Sequence, residues 1–133
     1  GEGATFFRRL DYTPGSKDLY GLPVEARVMG LASVHAKGQI VHKDWSGTCV
    51  SAHPWGLYVT VANPEGQERA FTVSVRDLPP VHRSILERVS TSDLSIADYP
   101  YEYRTGPGPV PEDGKLTVYA PARSLAALTL LCR

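Results

Sequence analysis

Gly56-Leu57-Tyr58-Val59-Thr60-Val61-Ala62-Asn63-Pro64 is the stretch on which the reading of the fold turns. Leu57, Val59 and Val61 alternate with Tyr58, Thr60 and Ala62. That is the period-two pattern of a strand with one apolar face, and Tyr58 falls on the outward face if Leu57 and Val59 point in. Beyond Asn63-Pro64-Glu65-Gly66-Gln67-Glu68 a second alternation begins, with Phe71, Val73 and Val75 against Thr72, Ser74 and Arg76. Pro64 fixes its own φ and Gly66 can supply a positive one, so the residues between the runs read as a turn longer than two residues. The two runs predict an antiparallel hairpin. Glu68 and Arg69 guard its edge against pairing with other chains.

Toward the C-terminus the same period returns. Lys115-Leu116-Thr117-Val118-Tyr119 follows the turn pair Asp113-Gly114, and Pro121 ends it. The run from Ser124 to Cys132 is nearly all apolar. Its Leu and Ala suit a helix, but its length and the strand before it favour a buried strand. Toward the N-terminus the signal weakens. Val24 to Val34, with Gly30 inside, reads as a long strand carrying a bulge. Gln39 to His42, Gly47 to Val50 and Thr5 to Phe7 are shorter strand candidates. Pro80 to Val89 follows neither the helical nor the strand period. From Thr91 to Pro111 the chain is rich in Ser, Asp, Pro, Gly and Tyr, and reads as an extended surface loop with one short strand at Tyr101-Glu102-Tyr103. Long loops in compact domains are often binding loops. Eight or so short strands with Gly and Pro punctuation predict an all-β antiparallel β-sandwich, jelly-roll or Ig-like, as a single domain over residues 1–133. A closed barrel is the alternative.

Composition narrows the function classes. The chain has 133 residues, 42% of them hydrophobic, with 14 Lys and Arg balanced by 14 Asp and Glu. With no net charge, no long-range field draws it to nucleic acid or to an anionic membrane. No apolar run approaches the ~18 residues of a membrane helix. No signal segment is visible, and Gly1 as the first residue leaves an earlier one open. The two cysteines, Cys49 and Cys132, suit a disulfide in an exported protein or two small core residues in a reducing compartment.

The second half of the chain resembles a known pattern. Gly56 to Pro64 looks like the strand ending in Asn and a turn residue in the small β-sandwich that follows the (β/α)₈ barrel of many glycoside hydrolases. Arg69 to Arg76 stands where that domain has its Thr/Val strand. Gly114 to Leu130 is similar to its closing strand, Pro-x-x-Ser corner and final apolar strand. The resemblance covers residues 56 to 131, and residues 1 to 55 match no piece of it. It implies an accessory or carbohydrate-binding module from a secreted enzyme, extracellular or periplasmic. It implies no catalytic residue, because that family's acid pair sits in a barrel.

Sugar binding needs flat aromatic faces beside polar groups. Trp45, in Lys43-Asp44-Trp45-Ser46-Gly47, and Trp55, in His53-Pro54-Trp55-Gly56, both stand among turn residues. Tyr58 joins them on its outward face, as do Tyr101 and Tyr103, which share one face of an extended segment. Core packing is the competing role for each. The expected ligand is a polysaccharide or oligosaccharide, and the other expected partner is a catalytic barrel that the module would buttress. His35, His42, His53 and His82 lack zinc spacing. Calcium suits the loop carboxylates Asp93, Asp98 and Glu102 better, although no Asp-rich loop of fixed spacing holds them. Hydrolase chemistry would need a carboxylate pair from Glu87, Asp93, Asp98, Glu102, Glu112 and Asp113. Ser46 and Ser124 lack the Gly-x-Ser-x-Gly context of a nucleophile elbow, and the prolines around Gly106-Pro107-Gly108 remove the amides of a phosphate cradle.

Overall fold

The computed structural model describes residues 24–91 and 101–132. Over these residues the chain runs from helix α1 (Val24–Ser33) through a 3-10 turn (Val34–Lys37) into eight described strands. These are β1 (Gln39–Lys43), β2 (Thr48–His53), β3 (Gly56–Asn63), β4 (Arg69–Ser74), β5 (Val81–Thr91), β6 (Tyr101–Pro107), β7 (Lys115–Ala120) and β8 (Ser124–Cys132). They form two antiparallel layers, a six-stranded sheet in the order β1-β2-β3-β8-β5-β6 and a two-stranded sheet β4-β7. The fold is therefore an antiparallel β-sandwich. The expected strands at Thr5-Phe6-Phe7 and the loop residues Asp93, Asp98 and Tyr99 lie outside the described residues.

The large sheet is apolar on both faces. Val50, Val59, Val61, Ala126, Leu128 and Leu130 point at the small sheet, where Phe71, Leu116, Val118 and Ala120 meet them. On the opposite face Tyr58, Val89, Tyr101 and Ala127 pack with Leu31 of α1. This explains why β8 reads as a continuous apolar run: a central strand buried on both sides has no polar face to alternate with.

Four readings of the sequence change. Val24 to Val34 is helical rather than a strand. Val28, Leu31 and His35 recur at three- and four-residue spacing, which lines one helix face on the sheet. Valine, serine and Gly30 hid this by their weak helix propensity, although nothing approaches Gly30 within 4 Å. Pro80 to Val89 contains most of an 11-residue strand that pairs with both β8 and β6. Its alternation is blurred because each of its faces is half-solvated. The loop expected up to Pro111 holds β6 through Pro107, tolerated because β6 is an edge strand with one free side. Finally, β3 and β4 make no hairpin. β3 pairs with β2 and β8, whereas β4 pairs with β7 in the other layer.

Asn63 explains that crossover. Its Nδ2 donates to the carbonyls of Gln67 (2.8 Å), Ala120 (3.1 Å) and Pro121 (2.9 Å). Its Oδ1 accepts from the Glu65 N–H at 3.1 Å. One side chain thus ties the end of β3 to the β3–β4 turn and to the corner between β7 and β8. At the other end of β3, Gly56 has φ +146°, and a Cβ there would lie 1.9 Å from the Leu130 carbonyl oxygen. The close approach of β3 to β8 depends on that missing atom.

Candidate functional site

The β1–β2 turn is built around one carboxylate. Asp44 Oδ1 accepts from the Ser46 N–H (2.9 Å), the Ser46 hydroxyl (2.6 Å) and the Thr48 N–H (3.3 Å). Its Oδ2 lies 2.6 Å from His42 Nε2. The Ser46 hydroxyl and then His42 hold the Asp44 carboxyl well below the usual carboxylate range. Backbone bonds reinforce the turn: Asp44 N–H to Thr48 O (3.1 Å) and Ala62 N–H to Gly47 O (3.0 Å). Gly47 has φ +99°, and a Cβ there would come within 2.7 Å of the Ala62 carbonyl. Aspartate, serine and glycine at these three places make a tight, pinned turn.

Trp45 stands at the tip of that turn, its side chain wholly exposed. An indole in water forfeits the burial its rings would otherwise gain, and this one has no packing role. The same turn holds the His42 imidazole, the Asp44 carboxylate and the Ser46 hydroxyl. An aromatic face on a pinned turn that also carries donors and acceptors can stack an apolar ring face and hydrogen-bond the hydroxyls around it.

The other aromatic candidates are placed differently. Trp55 sits on the β2–β3 turn, at the opposite end of β2, a strand of six residues or about 20 Å. The two indoles therefore do not form one platform. Trp55 is half-buried and stacks on the His53 ring, with centroids 4.5 Å apart and planes 14° from parallel. Tyr58 does point away from Leu57 and Val59, but that face is covered rather than outward. The residue is 1% exposed, and its hydroxyl donates to the Leu31 carbonyl at 2.6 Å. Burial pushes the phenol pKa above its ordinary range. Tyr101 and Tyr103 share a face as expected, and it is the same covered one. Tyr101 is buried, while Tyr103 donates to Glu87 at 2.5 Å and carries the Arg27 guanidinium 3.9 Å above its ring. Tyr58 and Tyr101 thus offer no ring face to a ligand, because α1 packs where solvent was expected.

Beneath α1 lies a polar cluster that the sequence reading did not assemble. Ser51 Oγ sits 2.7 Å from His35 Nδ1 and 2.8 Å from His53 Nε2, and His35 Nε2 sits 2.8 Å from Thr60 Oγ1. Ser51 is fully buried, so no substrate reaches its hydroxyl and the serine–histidine contact is structural. Burial, and then the nearby His53, lower the pKa of His35. The signal available was Ser51, His53 and Thr60 occupying alternate positions opposite Val50 and Val59.

Of the three loop carboxylates suited to calcium, Glu102 alone is among the described residues. Glu102 pairs with Arg104 at 3.0 Å. Among the described residues no three His, Cys, Asp or Glu side chains converge as a metal site. Cys49 and Cys132 are free thiols.

The layers and edges of the chain define an antiparallel β-sandwich of the kind that recurs within larger chains. No protein-family model matches it, and no curated protein does. Among solved structures it is similar to part of a GH51 arabinofuranosidase from Xanthomonas axonopodis pv. citri. The TM-score is 0.50 at 14% identity, over 68% of this chain and 21% of that one. Fainter likenesses reach a GH30 subfamily 8 xylanase from Clostridium acetobutylicum (TM-score 0.44, 9% identity, 64% of this chain and 20% of that one). They also reach a GH30 endoxylanase from Clostridium papyrosolvens C71 (TM-score 0.43, 15% identity, 69% and 22%). The chain spans about a fifth of each of these neighbours. The likeness to the arabinofuranosidase is one of fold.

Proposed function

We propose that this sandwich is a non-catalytic accessory module of a glycoside-hydrolase-type protein, and that it binds glycan on the Trp45 turn. The observation that carries the reading is a wholly exposed indole on a turn pinned by four bonds to one carboxylate. The fold shared with a fifth of an arabinofuranosidase chain supports the association with carbohydrate chemistry. Trp45 stacks on the C–H face of a sugar ring, and Asp44, His42 and Ser46 bond its hydroxyls. Arabinofuranose-bearing polymers are the first ligands to try. Such a module works where its polymer is, outside the cell or in the periplasm.

Affinity electrophoresis against arabinan, arabinoxylan and a panel of other soluble glycans tests this. Retardation on at least one glycan that Trp45→Ala abolishes and Trp55→Ala leaves intact supports the proposal. Retardation indifferent to Trp45→Ala overturns it. A second reading is favoured by the small share of the neighbour that the chain spans: a buttress for a catalytic barrel, with no glycan of its own. That reading expects no retardation on any glycan.

A further inference from the structure

The two layers are unequal, and the mismatch leaves a groove. Among the described residues the small sheet has two strands against six, so no described strand lies opposite β1 and β2 beyond β4. The resulting groove holds about 710 Å³. Its floor is Val50, Leu57 and Val59 of the large sheet, and one wall is the β4 segment from Thr72 to Arg76.

The free edge of β4 has a definite polarity. The Val75 N–H donates to the Gly114 carbonyl at 2.8 Å, and the same register pairs Val73 with Leu116 and Phe71 with Val118. In an antiparallel ladder the N–H and C=O of one residue point to the same side, and alternate residues point to opposite sides. Phe71 and Val73 therefore face β7, and Ala70, Thr72 and Ser74 face the groove. The Thr72 and Thr117 hydroxyls lie 3.0 Å apart, as expected of the closer, non-hydrogen-bonded pair. The outward N–H and C=O groups of Thr72 and Ser74 thus line the groove, with those of Ala70 further along the same edge, and no described residue bonds them.

Of the two edge strands that border the groove, β1 is defended and β4 is not. β1 carries a register shift between Ile40 and His42, and such a bulge twists an edge away from partners. β4 pairs with β7 through six residues without a shift, so its outer edge is flat. At its end stands Arg76, exposed and in no ion pair with a described residue.

We infer that this groove takes an extended peptide strand, supplied by another polypeptide and added to the free edge of β4. Its inward side chains are apolar and β-branched, to cover Val50, Val59 and Val73. A carboxylate at one end meets Arg76. The backbone ladder supplies affinity and the alternating side chains supply selectivity, as in other strand additions. The wall across from β4 holds Val41, His42 and Asp44, so the groove borders the turn of the glycan proposal; the peptide ladder itself uses β4 and not the Trp45 indole.

The probe is a synthetic peptide, Lys-Thr-Val-Thr-Val-Thr-Val-Glu, titrated into the 133-residue chain while backbone amide exchange is followed by NMR. Binding should slow exchange at Ala70, Thr72 and Ser74, while Phe71 and Val73 change little. Two further peptides carry N-methyl groups on alternate amides, one set on each edge. One should bind and the other should not, since only one edge of the added strand faces β4. Thr72→Pro removes an outward N–H at a site where an edge strand tolerates proline, and should weaken binding about tenfold. Retained protection of Phe71 and Val73 shows that this variant folds. Arg76→Glu should weaken the peptide about threefold and favour one ending in lysine. No protection at millimolar peptide overturns the inference. So do equal affinity for both methylated peptides, protection produced by a second copy of the chain alone, and protection produced by a glycan.

Discussion

Asn63→Asp exchanges one amide nitrogen for oxygen and leaves the side-chain volume unchanged, yet it should be among the most damaging single changes in the chain. Asn63 is 1% exposed and hands its two Nδ2 protons to three backbone carbonyls, from Gln67, Ala120 and Pro121. Asn63→Ala removes those bonds and the one from the Glu65 N–H. At about 1 kcal/mol per bond, with buried carbonyls left bare, the loss is about 2–4 kcal/mol. Asn63→Asp keeps the bond from Glu65 but at neutral pH aims a charge at three carbonyl oxygens, which costs about 3–5 kcal/mol. Those oxygens and burial raise the folded-state pKa of the introduced carboxyl above its unfolded value of about 3.9. The raised value means that the neutral form is favoured in the fold. The penalty is therefore smallest below about pH 4 and grows as pH rises through the folded pKa. Urea unfolding of wild type, Asn63→Ala and Asn63→Asp from pH 4 to 8, each variant compared with wild type at the same pH, gives the answer. Asn63→Asp should fall below Asn63→Ala at pH 7 and recover toward it at pH 4. If Asn63→Asp matches wild type at pH 7, or its deficit ignores pH, Asn63 is not the donor hub described here.

Other outcomes follow from the same contacts. Burial keeps His35 neutral with a lowered pKa, so the fold loses stability as pH falls below its unfolded value of about 6.5; His35→Gln should flatten that slope between pH 7 and 5 in urea melts. Trp45→Ala should leave the unfolding free energy within about 0.5 kcal/mol of wild type in urea melts, because an exposed side chain away from packing contributes little. Gly56→Ala drives a Cβ into the Leu130 carbonyl and should yield little soluble protein in expression trials. Burial raises both thiol pKa values, so Cys49 and Cys132 should each react with Ellman's reagent at pH 8, more slowly than free cysteine.

The sandwich was legible wherever a strand has one wet and one dry face. β3, β4 and β7 alternate plainly, and their class and extent follow from the sequence. The helix was not legible, since α1 carries Val24, Val28 and Gly30, residues whose local preference opposes a helix. Its place is set by Leu31 and Val28 packing on the far face of the sheet. That same packing hid the fate of Tyr58: period two shows which side a side chain takes, not what lies above it. Partner choice was also hidden. Asn63 and Pro64 announced a turn, but that β4 joins β7 rather than β3 depends on bonds to Ala120 and Pro121, far along the chain. Trp45 was readable as a loop indole because Asp44, Ser46 and Gly47 are turn residues around it. That its neighbours clamp one carboxylate was not.

The most direct test of the account is an NMR titration of the chain with oligosaccharides from arabinan and arabinoxylan, read at the two indole N–H signals. The account predicts that the Trp45 signal moves, together with the amides from His42 to Thr48, while Trp55 stays still. Movement confined to Trp55, or none at Trp45 with a sugar that retards the chain in electrophoresis, would contradict it.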